Sequence, residues 1–165
     1  MMARTNFFAL ALSTLAILAS GRAQAHPEQP TAEHNRQFIA QAFARWAAGG
    51  ATFFDDVLAP DMVWTIKGTS PMAGRYEGRD AFVAKAVTPF AARLSSPMRP
   101  TVKHIWAEDD HVVVHWDGAA TAADGQPYRN SYAWIFRMEN LRAAEVTAFL
   151  DLVPYDDILR RIPLD

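Results

Sequence analysis

The chain has 165 residues, half of them hydrophobic, with a formal net charge of −2 and no cysteine. That length suits one domain with a core of its own and is short for two. The charge balance argues against nucleic-acid binding, which needs clustered lysine and arginine, and the missing cysteine excludes disulfides, thiolate catalysis and Cys-ligated zinc.

Residues 1–25 read as a signal peptide rather than as part of the fold. Arg4 gives a positive start, "FFALALSTLAILA" (7–19) an apolar stretch, and Ala23-Gln24-Ala25 a small-x-small cleavage site. The apolar stretch is shorter than the ~20 residues that span a bilayer. A periplasmic or secreted mature chain, cut after Ala25 and free of the membrane, is therefore expected. Residues 26–32 form a short Pro-containing linker, and 33–165 the domain.

Phe38, Ile39, Ala42, Phe43 and Trp46 recur at helical spacing, with Thr31 as N-cap and Gly49 as the stop. A short helix, "TFFDDVLA", ends at Pro60, and "MVWTIKG" reads as a strand. Asp80 is expected to cap a third helix, "AFVAKAVTPFAARL", kinked by Pro89. The pattern then changes to alternation. "TVKHIWAE", "HVVVHWDGAAT", "PYRNSYAWIFRM" and "LRAAEVTAFLDLV" form a four-stranded antiparallel meander, turning at Asp109-Asp110, Asp124-Gly125 and Glu139-Asn140. "PYDDILRRI" is a short closing helix. The class is α+β.

If all three turns are two-residue hairpins, the meander has two distinct faces. One carries His104, Trp106, Val113, His115, Asp117, Tyr128, Asn130, Tyr132, Trp134, Glu145, Thr147, Phe149 and Asp151. The other carries Ile105, Ala107, Val112, Val114, Trp116, Ala133, Ile135, Val146, Ala148 and Leu150. The first combines aromatic walls with convergent polar groups, as small-molecule pockets do. The second, apolar and small, would suit the surface of a homodimer.

The element order, with "MVWTIKG…AGRYEGRDAF", "YRNSYAWIFRM" and "EVTAFLD", resembles the SnoaL-like and ketosteroid-isomerase-like families of the nuclear transport factor 2-like superfamily. The resemblance spans about 33–160. It implies a cone, in which a curved sheet wraps around N-terminal helices and encloses one cavity, with dimerisation through the outer face of the sheet. It also implies that Asp151 matches the general acid/base aspartate of SnoaL-type cyclases. His115 and Asp117 look like the basic residue and Asp that activate water in limonene-epoxide-hydrolase-like relatives. Thr65, Ile66 and Lys67 stand where steroid isomerases carry their base aspartate, so that activity is not expected.

A carboxylate on an aromatic wall is desolvated and suited to proton transfer, which makes Asp151 the first catalytic candidate; the alternative is that it merely caps the terminal segment or pairs with an arginine such as Arg93. Asp117 could orient His115 as a base, or the two could form a structural pair. Tyr128, Asn130, Tyr132 and Trp134, with His104, Trp64 and Phe149, are candidate lining, the tyrosines and Asn130 able to bond a carbonyl or enolate oxygen. His104 opposite His115 raises iron or zinc, but no HExxH-like motif supports it, and neither metal nor cofactor is expected. The expected function is binding of a small hydrophobic oxygenated molecule with cofactor-free acid/base chemistry, as isomerase, cyclase, dehydratase or epoxide hydrolase. The alternative is a non-catalytic periplasmic ligand-binding or dimerisation module.

Overall fold

The computed structural model describes residues 30–164. The signal-peptide reading of 1–25, and most of the linker, lie outside the described residues. The elements are α1 (Ala32–Ala47), α2 (Phe53–Val57), β1 (Leu58–Ile66), β2 (Gly74–Glu77), α3 (Arg79–Phe82), a π-helical turn (Val83–Val87), α4 (Thr88–Ala91), β3 (Arg99–Glu108), β4 (His111–Thr121), β5 (Pro127–Glu139), β6 (Arg142–Leu150) and α5 (Leu152–Arg161).

Helix α1 begins where the Thr31 hydroxyl accepts from the His34 backbone N–H, a side-chain cap for one of the free donors of the first turn. Its inward stripe is Asn35, Ile39, Ala42 and Phe43, with Phe38 and Trp46 partly buried beside them. The third predicted helix is interrupted. Gly78, not Asp80, precedes it, and Thr88 N–H reaches back five residues to the Val83 carbonyl. Pro89 has no N–H to give its own fourth-preceding carbonyl, and the wider turn just before it absorbs that loss.

The six strands form one curved, open sheet in the order β2-β1-β6-β5-β4-β3. β1 runs parallel to β6 and every other pairing is antiparallel. The mixed sheet with its helices on the concave side is the α+β cone of the sequence reading. Two of the three assumed hairpin registers differ. His104 lies opposite His115 as assumed, but Trp116 pairs Tyr132 and Ile135 pairs Thr147.

The physical reason is an odd residue count at each site. The β4–β5 turn spans residues 122–126, closed by Ala122 N–H on the Gln126 carbonyl, with Gly125 at φ 82°. The β5–β6 hairpin turns at Asn140 and Leu141, both at positive φ, and a bulge between Arg137 and Met138 then shifts the ladder by one. Each odd step inverts the side chains of one strand relative to the next. The concave face therefore carries Val112, Val114 and Trp116 together with Tyr128, Asn130, Tyr132, Trp134 and Phe136, and with Val146 and Ala148. His104, Trp106, Val113, His115, Asp117, Ala133, Ile135, Glu145, Thr147 and Phe149 face outward.

Trp64, Trp116 and Phe43 are among the largest fully buried side chains, and Trp134 joins them edge-on, 4.7 Å from Trp116 and 4.9 Å from Trp64. The indole N–H of Trp116 is buried without an acceptor, and the rings of Phe43, Trp46 and Trp134 pack edge-on with the indole.

Candidate functional site

Between the concave sheet face and the helices lies a hollow of about 490 Å³. Its aromatic wall is made by Trp46, Phe54, Trp64, Phe82, Phe90 and Tyr155 from the helices and β1, with Trp116, Tyr132 and Trp134 from the sheet. Tight ring packing sets these walls: Trp64 stacks on Phe82 at 4.2 Å, and Phe90 on Tyr155 at 4.8 Å. Hydrophilic groups are few. Besides the tryptophans, the lining residues with polar side-chain groups are Tyr132, Tyr155, Ser95, Ser96 and Arg99, an exposed residue whose Nη1 bonds the Trp46 carbonyl at 3.4 Å. Among the described residues no carboxylate and no imidazole lines this hollow.

Tyr132 belongs to a hydrogen-bonded chain. Its hydroxyl is 2.8 Å from that of Tyr128, which accepts from Asn130 Nδ2 at 2.9 Å. Asn130 also donates to the Asp151 carbonyl at 2.7 Å and accepts from the Asp151 N–H at 3.1 Å. Burial first, then the neighbouring Tyr128, pushes the Tyr132 phenol well above its ordinary range. Burial likewise raises Tyr128 and Tyr155, so all three stay protonated at neutral pH.

The residues expected to carry acid/base chemistry lie elsewhere. Asp151 is exposed at the end of β6 and caps α5, its Oδ1 accepting the Val153 N–H at 2.9 Å. Asp117 accepts from Ser131 at 2.6 Å and pairs with Lys103 at 3.0 Å; these two partners, Ser131 the stronger, hold its carboxyl below the usual range. Asp117 and Asp151 do share a concavity, a polar groove on the outer side with Thr101, Lys103, Arg129 and Ser131. His115 is not part of that groove's wall. It packs instead beside His104, ring centroids 6.1 Å apart, and His104 stacks on the exposed Trp106 at 5.1 Å. Phe149, expected as lining, is also on the outer face and 45% exposed.

The sequence reading therefore placed on one face what the molecule divides between two. Tyr132, Trp134 and Trp64 line the inner hollow, and Tyr128 and Asn130 stand directly behind Tyr132. Asp151, His115, Asp117, His104 and Phe149 are outside it, because the odd turn and the bulge invert β5 against both of its neighbours.

Residues 39–146 match the family model of the SnoaL-like domain. The chain belongs to that family. Among solved structures, this SnoaL-like domain superposes on Bal32a, from a soil-derived mobile gene cassette, with a TM-score of 0.65 at 20% identity, over 77% of this chain and 97% of Bal32a. An NTF2-like protein of unknown function from Burkholderia pseudomallei K96243 gives 0.64 at 22% identity, over 76% and 96%. TerC, co-crystallised with polyporic acid, gives 0.63 at 17% identity, over 76% and 98%. No curated protein sequence matches the chain. These likenesses bear on the fold, the nuclear transport factor 2-like cone.

Several lining residues of this SnoaL-like domain escaped the sequence reading: Phe54, Phe82, Phe90, Trp116, Tyr155 and Arg99. Trp116 was misassigned by strand parity. Tyr155 and Arg99 follow a helix cap and a loop, and no local signal aims them at the hollow.

Proposed function

We propose that this SnoaL-like domain binds one flat, largely apolar small molecule in its inner hollow, and that it acts as a binder rather than as an acid/base catalyst. The observation that carries the reading is the composition of the wall. A volume of about 490 Å³ is within the range of small-molecule sites, and aromatic rings dominate the lining with a few polar atoms among them. The lining phenols are protonated at neutral pH, and a guanidinium is a poor base, so no group there is suited to taking a proton from carbon or water. The outer groove supports catalysis less well: Asp151 is engaged as a cap and Asp117 in an ion pair, and the groove has little apolar wall.

Two further readings accompany this one. The leader pattern of residues 1–25 supports export to the periplasm or beyond. The outer sheet face, with Trp106 and Phe149 exposed, supports pairing with a second copy.

The test is ligand extraction under native mass spectrometry from protein expressed with its leader, followed by an Ala148→Leu variant that narrows the hollow. A co-purifying organic molecule, lost on narrowing, is the expected result. Retention of that molecule by the narrowed protein, with loss on disrupting the outer groove instead, would overturn the assignment.

A further inference from the structure

Alternation along β4 turns Val113, His115 and Asp117 to the outer side of the sheet, and an irregularity in β3 brings a second imidazole to meet His115. Val102 pairs with Trp116, so plain antiparallel register would set Lys103 against His115. The register shifts there by one, Lys103 is the extra residue, and His104 stands directly opposite His115 instead. A bulge of this kind re-aims side chains, and residues directly opposite in an antiparallel pair have their β-carbons ~5 Å apart. The two rings are 20° from parallel, with centroids 6.1 Å apart. An ion held ~2 Å from one nitrogen of each ring sets two imidazole centroids roughly 5–6.5 Å apart, depending on the angle at the ion. The observed spacing lies inside that span. His104 is exposed and His115 half-buried, so solvent reaches the pair.

We infer that His104 and His115 form a two-imidazole clip for a first-row divalent metal ion, with Cu²⁺ held ahead of Zn²⁺. Imidazole nitrogen suits both ions, and the general order of affinity places Cu²⁺ first. Among the described residues no group of three or more His, Asp or Glu side chains is placed to share a metal. Water therefore completes the coordination, and the site is open and exchangeable. Charge adds little: Asp117 is on the same face, but Lys103 balances it at 3.0 Å. Among the described histidines it is His111 whose ring pairs with a carboxylate, Asp110 at 2.6 Å, which leaves the nitrogens of His104 and His115 for an ion. The clip is separate from the inner hollow, since neither histidine lines it. Trp106 reports on it: its ring stacks on His104 at 5.1 Å and faces solvent.

Copper(II) chloride titrated into the purified chain tests this through tryptophan emission, because Cu²⁺ quenches an indole at close range. Saturable quenching is expected, and excess Zn²⁺, which does not quench, should displace the copper and restore the emission. Trp106→Phe should remove that quenching. His104→Ala and His115→Ala should each weaken binding at least about tenfold, since even the partners behind a metal ligand are worth roughly 10–100-fold in affinity. His104→Gln and His115→Gln, which keep bulk and polarity, should behave as the alanine variants do. His34→Ala and His111→Ala, away from the clip, should change the affinity by less than about twofold. Absence of saturable quenching, unchanged affinity in the variants of either clip histidine, or quenching that survives Trp106→Phe overturns the clip. So does a dissociation constant that tightens with protein concentration, as it would if the ion bridged two copies. None of these outcomes bears on the reading of the hollow.

Discussion

Trp116 and Tyr132 lie face to face across β4 and β5, ring centroids 4.0 Å apart and planes within 7° of parallel. Gly118 makes room for that stack. A methyl group there would come within 2.9 Å of Tyr132 Cε2, 3.0 Å of Trp116 Cζ3 and 2.8 Å of Met98 Sδ. Met98 is flexible and can yield, but Trp116 is packed against Phe43, Trp46 and Trp134 and carries Tyr132 with it. Gly118→Ala should therefore cost about 1–3 kcal/mol of stability, the usual range for overpacking. It should also displace the Tyr132 hydroxyl. Denaturant melts read the first effect, and weaker retention of the co-purifying molecule reads the second. An unchanged midpoint would mean the stack is looser than its geometry.

Asp151 gives the sharpest contrast between the expected catalytic role and the observed capping role. Asp151→Ala should lower stability by about 1 kcal/mol, as loss of an N-cap does, and Asp151→Asn should recover most of it. Neither change should alter ligand binding in the hollow by more than about twofold, because the Asp151 carboxylate is not part of its wall. Asn130 bonds the backbone of Asp151, so the Asn130–Tyr128–Tyr132 hydrogen bonds survive both substitutions. Loss of stability in both variants alike would point away from capping.

The elements themselves were legible because their signals are local. Thr31 caps α1, alternation marked β4 from His111 to Thr121, and the apolar spacing after Pro154 announced the terminal helix. The relation between strands was not legible, because it depends on counting residues in turns. "TAADGQP" contains an Asp-Gly that reads as a two-residue hairpin, yet the chain closes a five-residue loop around it. The bulge at Arg137 and Met138 has no composition signal at all. Tyr128, Asn130, Tyr132 and Trp134 were correctly grouped, since they share one strand. Their supposed companions His115, Asp117 and Asp151 were attached through the two registers that an odd residue count inverts.

Acid should expose two carboxylates. Hydrogen bonds from Arg36, then Gln37, lower Glu33 from an ordinary 4.5 to about 2, and Ser131 with Lys103 lowers Asp117. Both folded values lie below the unfolded ones. The stability they add is thus complete above about pH 4.5 and is lost as the pH falls through each folded value. Both side chains are solvent-exposed, so the effect is modest and shrinks in high salt. Thermal melts of wild type against Glu33→Gln and Asp117→Asn should stay separated above about pH 4.5 and draw together as the pH falls from there toward about 2. Parallel curves across that range would show that these contacts add nothing to folding.

The outer face raises the last question, whether a second copy covers it. Trp106 is 52% exposed and Phe149 45%, and both share the outer side of the sheet with His104, His115, Val113 and Ile135. Two exposed rings on a rigid, twisted sheet are costly to leave in water, and a second identical face offers the same rings in return. Trp106→Asp puts a charge at the edge of that surface without touching the hollow, whose wall is built from the opposite side of the sheet. Light scattering during gel filtration should give a dimer for wild type and a monomer for Trp106→Asp, with the co-purifying molecule retained in both. A wild-type chain that stays monomeric at every loading concentration would remove the pairing proposal. It would not disturb the binding role, because the two sites occupy opposite faces of the same strands.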